Sequence, residues 1–286
     1  MLTTHAVTIN CTDDVQLSGL LYRSKVAPIA AVMIAPATGI KQGFYARFAQ
    51  FLAEQNIAVL TFDNRGIGAS PKDHKIMGET LLQDWGQKDM PATLAWLQQQ
   101  FPALPTHLIG HSAGGQLAGL MANATELTTL ITYGSSSGCL RNFTGNYKYQ
   151  AWFYMNVFIP VTNALFGRTQ SHWMGMGEPL PKGVGAQWRR WCNGQGYAKT
   201  EFGTHIKQHY YDQLTQPALW IRATDDEISP QANMDDILSV YKNLNVTNKI
   251  IHPQEHGLRH LGHMSYFSRQ GLPLWSEIVT WIKQHS

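Results

Sequence analysis

In the first half of the chain, short unbroken apolar runs alternate with stretches whose apolar residues return every third or fourth position. Ala30–Ala35 and Ile57–Phe62 are of the first kind, as strands buried on both faces require. Between them Phe44, Phe48, Phe51 and Leu52 recur at helical spacing. Met90, Leu94, Leu97 and Phe101 do the same, with Asp89 at the expected N-cap and Pro91 in the first turn. Residues 106–110 predict another strand, Leu117, Leu120 and Met121 one face of the next helix, and residues 127–133 a further strand.

The rhythm then stops. From Cys139 to Tyr211 aromatic residues crowd in, among them Phe143, Tyr147, Trp152, Phe158, Trp173, Trp188 and Trp191. The alternation returns with a strand at 218–222, a helix at 231–242, a short strand at 249–252 and an amphipathic helix at 272–283. Repeated strand–helix–strand units predict an α/β fold, a mostly parallel central sheet with helices on both faces. The core is expected in two pieces, residues 1–138 and 212–286, interrupted by an inserted helical cap or lid at 139–211.

Composition narrows the function. Charged residues are 14% of the 286, against about 25% in an ordinary globular chain, so a solvated interaction protein is disfavoured. The net charge is +3 and the longest basic run is Arg189-Arg190, which gives nucleic-acid binding no footing. Cys11, Cys139 and Cys192 show no Cys-x-x-Cys spacing, so neither a disulfide framework nor a zinc finger is expected. No basic, then apolar leader opens the sequence, and the aromatic-apolar stretch 151–166 is too short to span a bilayer. These features predict a cytoplasmic, soluble protein without an integral membrane segment.

The most informative motif is Gly110-His111-Ser112-Ala113-Gly114, between a predicted strand and a predicted helix. A serine there sits on a very tight turn. Glycines on either side let neighbouring backbone approach, and the turn aims the hydroxyl into the crevice above the sheet. The helix start behind it presents free N–H groups to a developing negative charge.

On these residues the sequence resembles the α/β-hydrolase superfamily, over roughly residues 15–135 and 215–286. Pro36-Ala37-Thr38-Gly39, after the strand at 30–35, stands where that family has its oxyanion loop, often His-Gly-x. The resemblance implies backbone donors at Thr38 and Ala113. Residues 63–70, Asp-Asn-Arg-Gly-Ile-Gly-Ala-Ser, are similar to the family's Asp-x-Arg-Gly-x-Gly-x-Ser loop, a structural, charge-paired turn. The family order is Ser, then Asp or Glu, then His. Asp226, four residues before Pro230, matches the acid, with Asp225 as its competitor, and His263 in Leu261-Gly262-His263 matches the base. A capping role for the two carboxylates at the next helix remains the alternative. His252, His256 and His260 read as surface or loop-packing residues, and the pair His205 and His209 as a weak metal candidate; no metal site and no cofactor is expected.

What the resemblance implies is a serine hydrolase working through Ser112, His263 and Asp226 and an acyl-enzyme. A carboxylic ester of a small, largely apolar molecule is the preferred substrate, in a branch similar to serine aminopeptidases and monoacylglycerol lipases. A peptidase or amidase, a thioesterase and an acyltransferase share the same triad and remain alternatives. A non-catalytic binding protein on this fold ranks last, because nucleophile, acid and base candidates are all present. Most aromatics of 139–211 are expected to pack the cap's own core. An interfacial role would require the stretch 151–166 to be exposed.

Overall fold

The computed structural model describes residues 2–286. Its strands are β1 (Leu2–Asn10), β2 (Gln16–Ser24), β3 (Ala30–Ala35), β4 (Ile57–Phe62), β5 (Thr106–His111), β6 (Thr129–Tyr133), β7 (Arg168–Thr169), β8 (Leu180–Pro181), β9 (Pro217–Ala223) and β10 (Asn245–Ile251). Eight form one sheet in the order β1-β2-β4-β3-β5-β6-β9-β10; β7 and β8 pair separately. β1 and β2 run antiparallel at one edge, and all pairs from β4 to β10 are parallel. The apolar-run pattern misses β1 and β2 for a physical reason: an edge hairpin with one wet face alternates in polarity.

Helices close both faces. Ala46–Glu54 and Leu272–Gln284 cover one side, where Phe48, Leu52, Trp275 and Ile278 pack on Val32, Val59 and Ile109. Met90–Gln100 and Gln231–Leu238 cover the other, where Leu94, Leu97 and Ile237 meet Met33, Leu60 and Leu108. From β3 the chain turns to β4 on one side and later returns to β5 on the other. The crevice beyond the carboxyl ends of β3 and β5 is thus the switch point where ligands bind in open α/β sheets.

Residues 139–211 add no strand to the main sheet. Helices Gly145–Phe153 and Ile159–Phe166 are joined by a π-helical turn at Tyr154–Phe158 into one run ended by left-handed Gly167. With the helix Lys182–Asn193 they enclose Ile159, Val184, Trp191 and Tyr197, the last two rings 4.8 Å apart.

Three local expectations need correction. Asp89 does not cap a helix: its backbone is already helical, at the end of a π-helical turn, Trp85–Asp89, that leads into Met90-Pro91. Both π turns stand just before a proline, which lacks an N–H and crowds the carbonyl four residues back, so the chain widens there. The freed Asp89 carboxylate instead accepts Arg65 Nε at 2.6 Å and Arg65 N at 2.9 Å, while Asp13 takes the other edge of the guanidinium at 2.6 and 3.0 Å. Burial works against the Arg65 charge, but its bonds to Asp13 and Asp89 raise its pKa above the ordinary value. Arg65 is therefore not paired with Asp63, which accepts from Gln42 N, Gln42 Nε2 and Ala69 N. Lastly, the helix after Ser112 is only Ala113–Gln116 followed by a 3-10 turn, Ala118–Leu120. Glycines at 114, 115 and 119 weaken it, and Tyr241 Oη takes the Gly119 N–H at 3.1 Å.

Two predictions follow from the buried charges. Asp89→Asn should lower urea-unfolding stability by about 3 kcal/mol or more, leaving Arg65 half-paired in the core, whereas partly exposed Asp13→Asn costs under about 1 kcal/mol. Equal losses would refute that ranking. The second concerns β5, which buries His107 and His111 completely. Burial, with a neighbouring histidine, lowers their pKa values to about 4 and about 3. As pH falls below about 6.5 the unfolded chain binds protons that the folded one refuses, so stability drops on acidification. Each histidine should remove about 2 kcal/mol between pH 7 and pH 5. Equilibrium unfolding at both pH values tests this; a flat profile contradicts it.

Candidate active site

β5 ends at His111, and Ser112 turns sharply with φ +49° and ψ −110°, a region L residues rarely occupy. Hydrogen bonds hold it there. Ser112 N donates to the Tyr133 carbonyl at 2.8 Å, and the Ser112 carbonyl accepts Gly115 N and Gln116 N at 3.1 Å and Ser135 Oγ at 2.9 Å. A Cβ on Gly114 would collide with the Ala35 carbonyl, so the helix start can press against β3 only with glycine there. Ser112 Oγ makes no hydrogen bond among the described residues and opens onto a cavity.

The oxyanion-loop candidate lies beside it. Ala35 pairs with Gly110 in register, which sets residues 36–39 next to the turn, and Thr38 and Ser112 line the same cavity. Neither the Thr38 nor the Ala113 N–H has an acceptor among the described residues.

Asp226 follows β9, and its Oδ2 stands 2.8 Å from His263 Nδ1. Its Oδ1 accepts Ile228 N and Ser229 N at 3.0 and 3.1 Å, which fixes the carboxylate on its turn. Asp225 faces the other way: it accepts Leu261 N at 2.9 Å and Gly262 N at 3.0 Å and pairs with His260 Nδ1 at 2.6 Å. Burial tends to raise the Asp225 pKa, but those backbone donors and His260 bring it below the usual carboxylate value. The two neighbouring acids thus divide the work, one on the imidazole and one on the loop that carries it. The acid–imidazole pair packs against Gly134, the residue after Tyr133, whose carbonyl takes the Ser112 N–H. A Cβ at Gly134 (φ +60°) would stand 2.8 Å from His263 Cε1 and 3.0 Å from Asp226 Oδ2.

A buried chain of hydrogen bonds ties these loops together. Ala37 N donates to Tyr45 Oη at 2.9 Å, Tyr45 Oη meets His111 Nδ1 at 2.9 Å, and His111 Nε2 reaches the His263 carbonyl at 3.0 Å. That carbonyl can only accept, so the His111 proton sits on Nε2 and Tyr45 donates to Nδ1. Sequence reading misses both residues, since nothing in spacing marks Tyr45, and His111 reads as filler in the serine motif.

The cavity above Ser112 occupies about 770 Å³ including its open mouth. Phe143, Tyr147, Tyr154, Met155, Met174 and Trp188 of segment 139–211 supply most of its wall, and no charged side chain lines it among the described residues. Gln116, one helical turn after Ser112, donates to the Ser136 carbonyl and lines the floor. That four-residue spacing could have flagged it. Burial, reinforced by the Asp226 charge, raises the Tyr147 pKa well above the usual phenol value, so its hydroxyl stays protonated. Burial likewise keeps Cys192, in the same wall, a thiol. Trp191 belongs to the segment's own core, not to the cavity. Of the remaining histidines, His260 packs the Asp225 loop, while His209 stacks on Phe202 at 3.8 Å.

The family model of the serine aminopeptidases (S33) matches residues 26–139. No curated protein matches the sequence. Among solved structures, an esterase of Pyrococcus furiosus superposes with TM-score 0.60 at 18% identity, over 99% of this chain and 93% of that one. An esterase of Exiguobacterium antarcticum gives 0.61 at 13%, over 98% and 100%. A soluble variant of monoglyceride lipase from Saccharomyces cerevisiae, in complex with a substrate analog, gives 0.64 at 14%, over 99% and 95%. With this sheet order and the crossing at β3 and β5, the chain has the α/β-hydrolase fold, and its residues 26–139 match the serine aminopeptidase family model.

Proposed function

We propose that the protein is a serine hydrolase that cleaves esters of neutral, largely apolar acyl groups. The observation that carries this reading is the Asp226–His263 pair, 2.8 Å apart, standing behind a strained serine turn that opens onto an uncharged cavity. With Nδ1 committed to Asp226, His263 has Nε2 free to take the Ser112 proton as Oγ attacks the acyl carbon. The N–H groups of Thr38 and Ala113, which lack other acceptors, stabilise the oxyanion. Collapse breaks the acyl–oxygen bond, and the alcohol leaves with the proton held on His263. Water, deprotonated by the same imidazole, then releases the acid and restores Ser112.

Segment 139–211 acts in this reading as the cap over a largely apolar acyl site, whose polar groups are uncharged and include Gln116, Gln150 and the Tyr147 hydroxyl. The cavity wall also favours an ester over a peptide. An aminopeptidase must receive an α-ammonium, and leaving that charge unpaired in an apolar cavity costs several kcal/mol or more. No carboxylate lines the cavity to offset it. The acyl-ester reading therefore stands ahead of the aminopeptidase reading.

Hydrolysis of p-nitrophenyl esters from acetate to dodecanoate tests the reaction. Turnover is expected with an optimum at intermediate chain length, and Ser112→Ala should abolish it. Amino-acid p-nitroanilides should be poor substrates, and efficient turnover of them would reverse the ranking. Within the acid pair, Asp226→Asn should lower kcat by about 10³–10⁴, through loss of the imidazole's orientation and charge partner. Asp225→Asn, which only loosens the loop, should stay within about 10² of wild type. The opposite order would assign the acid to Asp225.

A further inference from the structure

The helical run at 145–166 has two faces. Its inner face, with Tyr147, Ala151, Tyr154 and Met155, roofs the cavity. Its outer face is apolar and open to solvent: Tyr149 is 73% exposed, Trp152 55%, Phe153 45%, Val161 48% and Leu165 71%. Tyr149, Phe153, Val157, Val161 and Leu165 follow one another at intervals of four. In a straight α-helix each such step overshoots a full turn by about 40°, so a row of five winds away from its face. The wider π turn at Tyr154–Phe158 takes up that drift and keeps the row on one side. The surface continues past the helix end, where the Phe166 and Trp173 rings meet at 5.2 Å, to Met174, which is 48% exposed and lines the cavity. Exposed apolar side chains therefore lead from the outside of the helical run, by way of Phe166 and Trp173, to Met174 at the cavity above Ser112.

Charge says what covers this face. Residues 139–211 carry eight Lys and Arg against two Glu, whereas the rest of the chain carries fourteen against seventeen. Both Glu are already engaged, Glu178 with Lys41 and Lys72, Glu201 with Arg190. Lys148 and Arg168 flank the apolar row and are exposed. A second copy docking through this face would bring two strongly basic segments together. No helix is long and apolar enough to cross a bilayer among the described residues. We infer that this face seats the protein on the surface of an anionic phospholipid bilayer, with the aromatic row in the interface and the basic residues against the headgroups. The cavity mouth then faces the lipid, from which apolar molecules can enter without crossing water. This inference does not depend on the chemistry at Ser112.

Co-sedimentation of the full chain with vesicles, which needs no catalysis, tests it. Wild type should bind vesicles containing about one-third phosphatidylglycerol, and bind pure phosphatidylcholine and high-salt mixtures roughly tenfold less. Phe153→Glu with Leu165→Glu, both on the exposed face, should reduce binding by roughly tenfold or more while circular dichroism and fluorophosphonate labelling of Ser112 stay unchanged. Lys148→Glu with Arg168→Glu should weaken only the phosphatidylglycerol-dependent part. No sedimentation with either vesicle, equal binding to both, or full binding by the Phe153/Leu165 variant would overturn the inference. So would a wild-type dimer that the same variant splits without any vesicle binding; the face would then belong to a second copy.

Discussion

One buried imidazole holds the three loops of the candidate site in a common frame. His111 has no solvent contact, and each of its ring nitrogens has a single partner, Tyr45 Oη on one side and the His263 carbonyl on the other. Because the Ala37 N–H donates into Tyr45, the phenol proton must go to His111, and the His111 proton must go to His263. Direction is fixed at every link. The chain joins the loop after β3, the serine turn after β5 and the histidine loop after β10. Phe267, 4.9 Å from the same ring, packs it in place. A protonated His111 would point a second N–H at a hydroxyl whose proton already lies there, which agrees with its low pKa.

Sheet order supplies the rest of the frame. β3 and β5 are adjacent in space although β4 and 64 further residues separate them in sequence, so their carboxyl ends leave a crevice that no connecting helix fills. Ser112 can stand there only in a strained backbone, at a cost of about 1–3 kcal/mol. Four hydrogen bonds and the bare faces of Gly114 and Gly134 hold the strain. The same bareness admits the Asp226–His263 pair. Strain, glycine and acid–imidazole pair are therefore one arrangement.

Much of this is legible in the sequence because burial on both faces writes unbroken apolar runs. β3 and β4 coincide with their runs to the residue, and β5 differs by one. The serine motif, the Asp-Asp-x-x-x-Pro loop and the Gly-His loop are local strings, so Ser112, Asp226 and His263 can be singled out without coordinates. What stays hidden is non-local. Asp89 looks like a cap because caps are local, yet its partner Arg65 lies 24 residues away, and Asp13, on the other edge of that guanidinium, 52 residues from Arg65. Tyr45 and His111 acquire their meaning only when three loops meet. Asp225 and Asp226 differ in the sequence only by their spacing to Pro230, and their separate roles emerge once the backbone turns one toward the ring and the other toward Leu261 and Gly262.

Segment 139–211 shows how composition alone can mislead. Its aromatics look like the contents of one small core, and some are: Trp191 and Tyr197 are fully buried. Others belong to two further surfaces, the cavity wall and the outer row, because a helix lying across a crevice has both an inside and an outside to cover. Neither surface carries a paired charge. On the inside, no charged side chain lines the cavity, so an α-ammonium would find no partner there. On the outside, a row of exposed aromatic and aliphatic side chains is costly to keep in water unless something apolar covers it. Both faces of the same helix thus present apolar surface, the inner one to an uncharged cavity and the outer one to the surroundings.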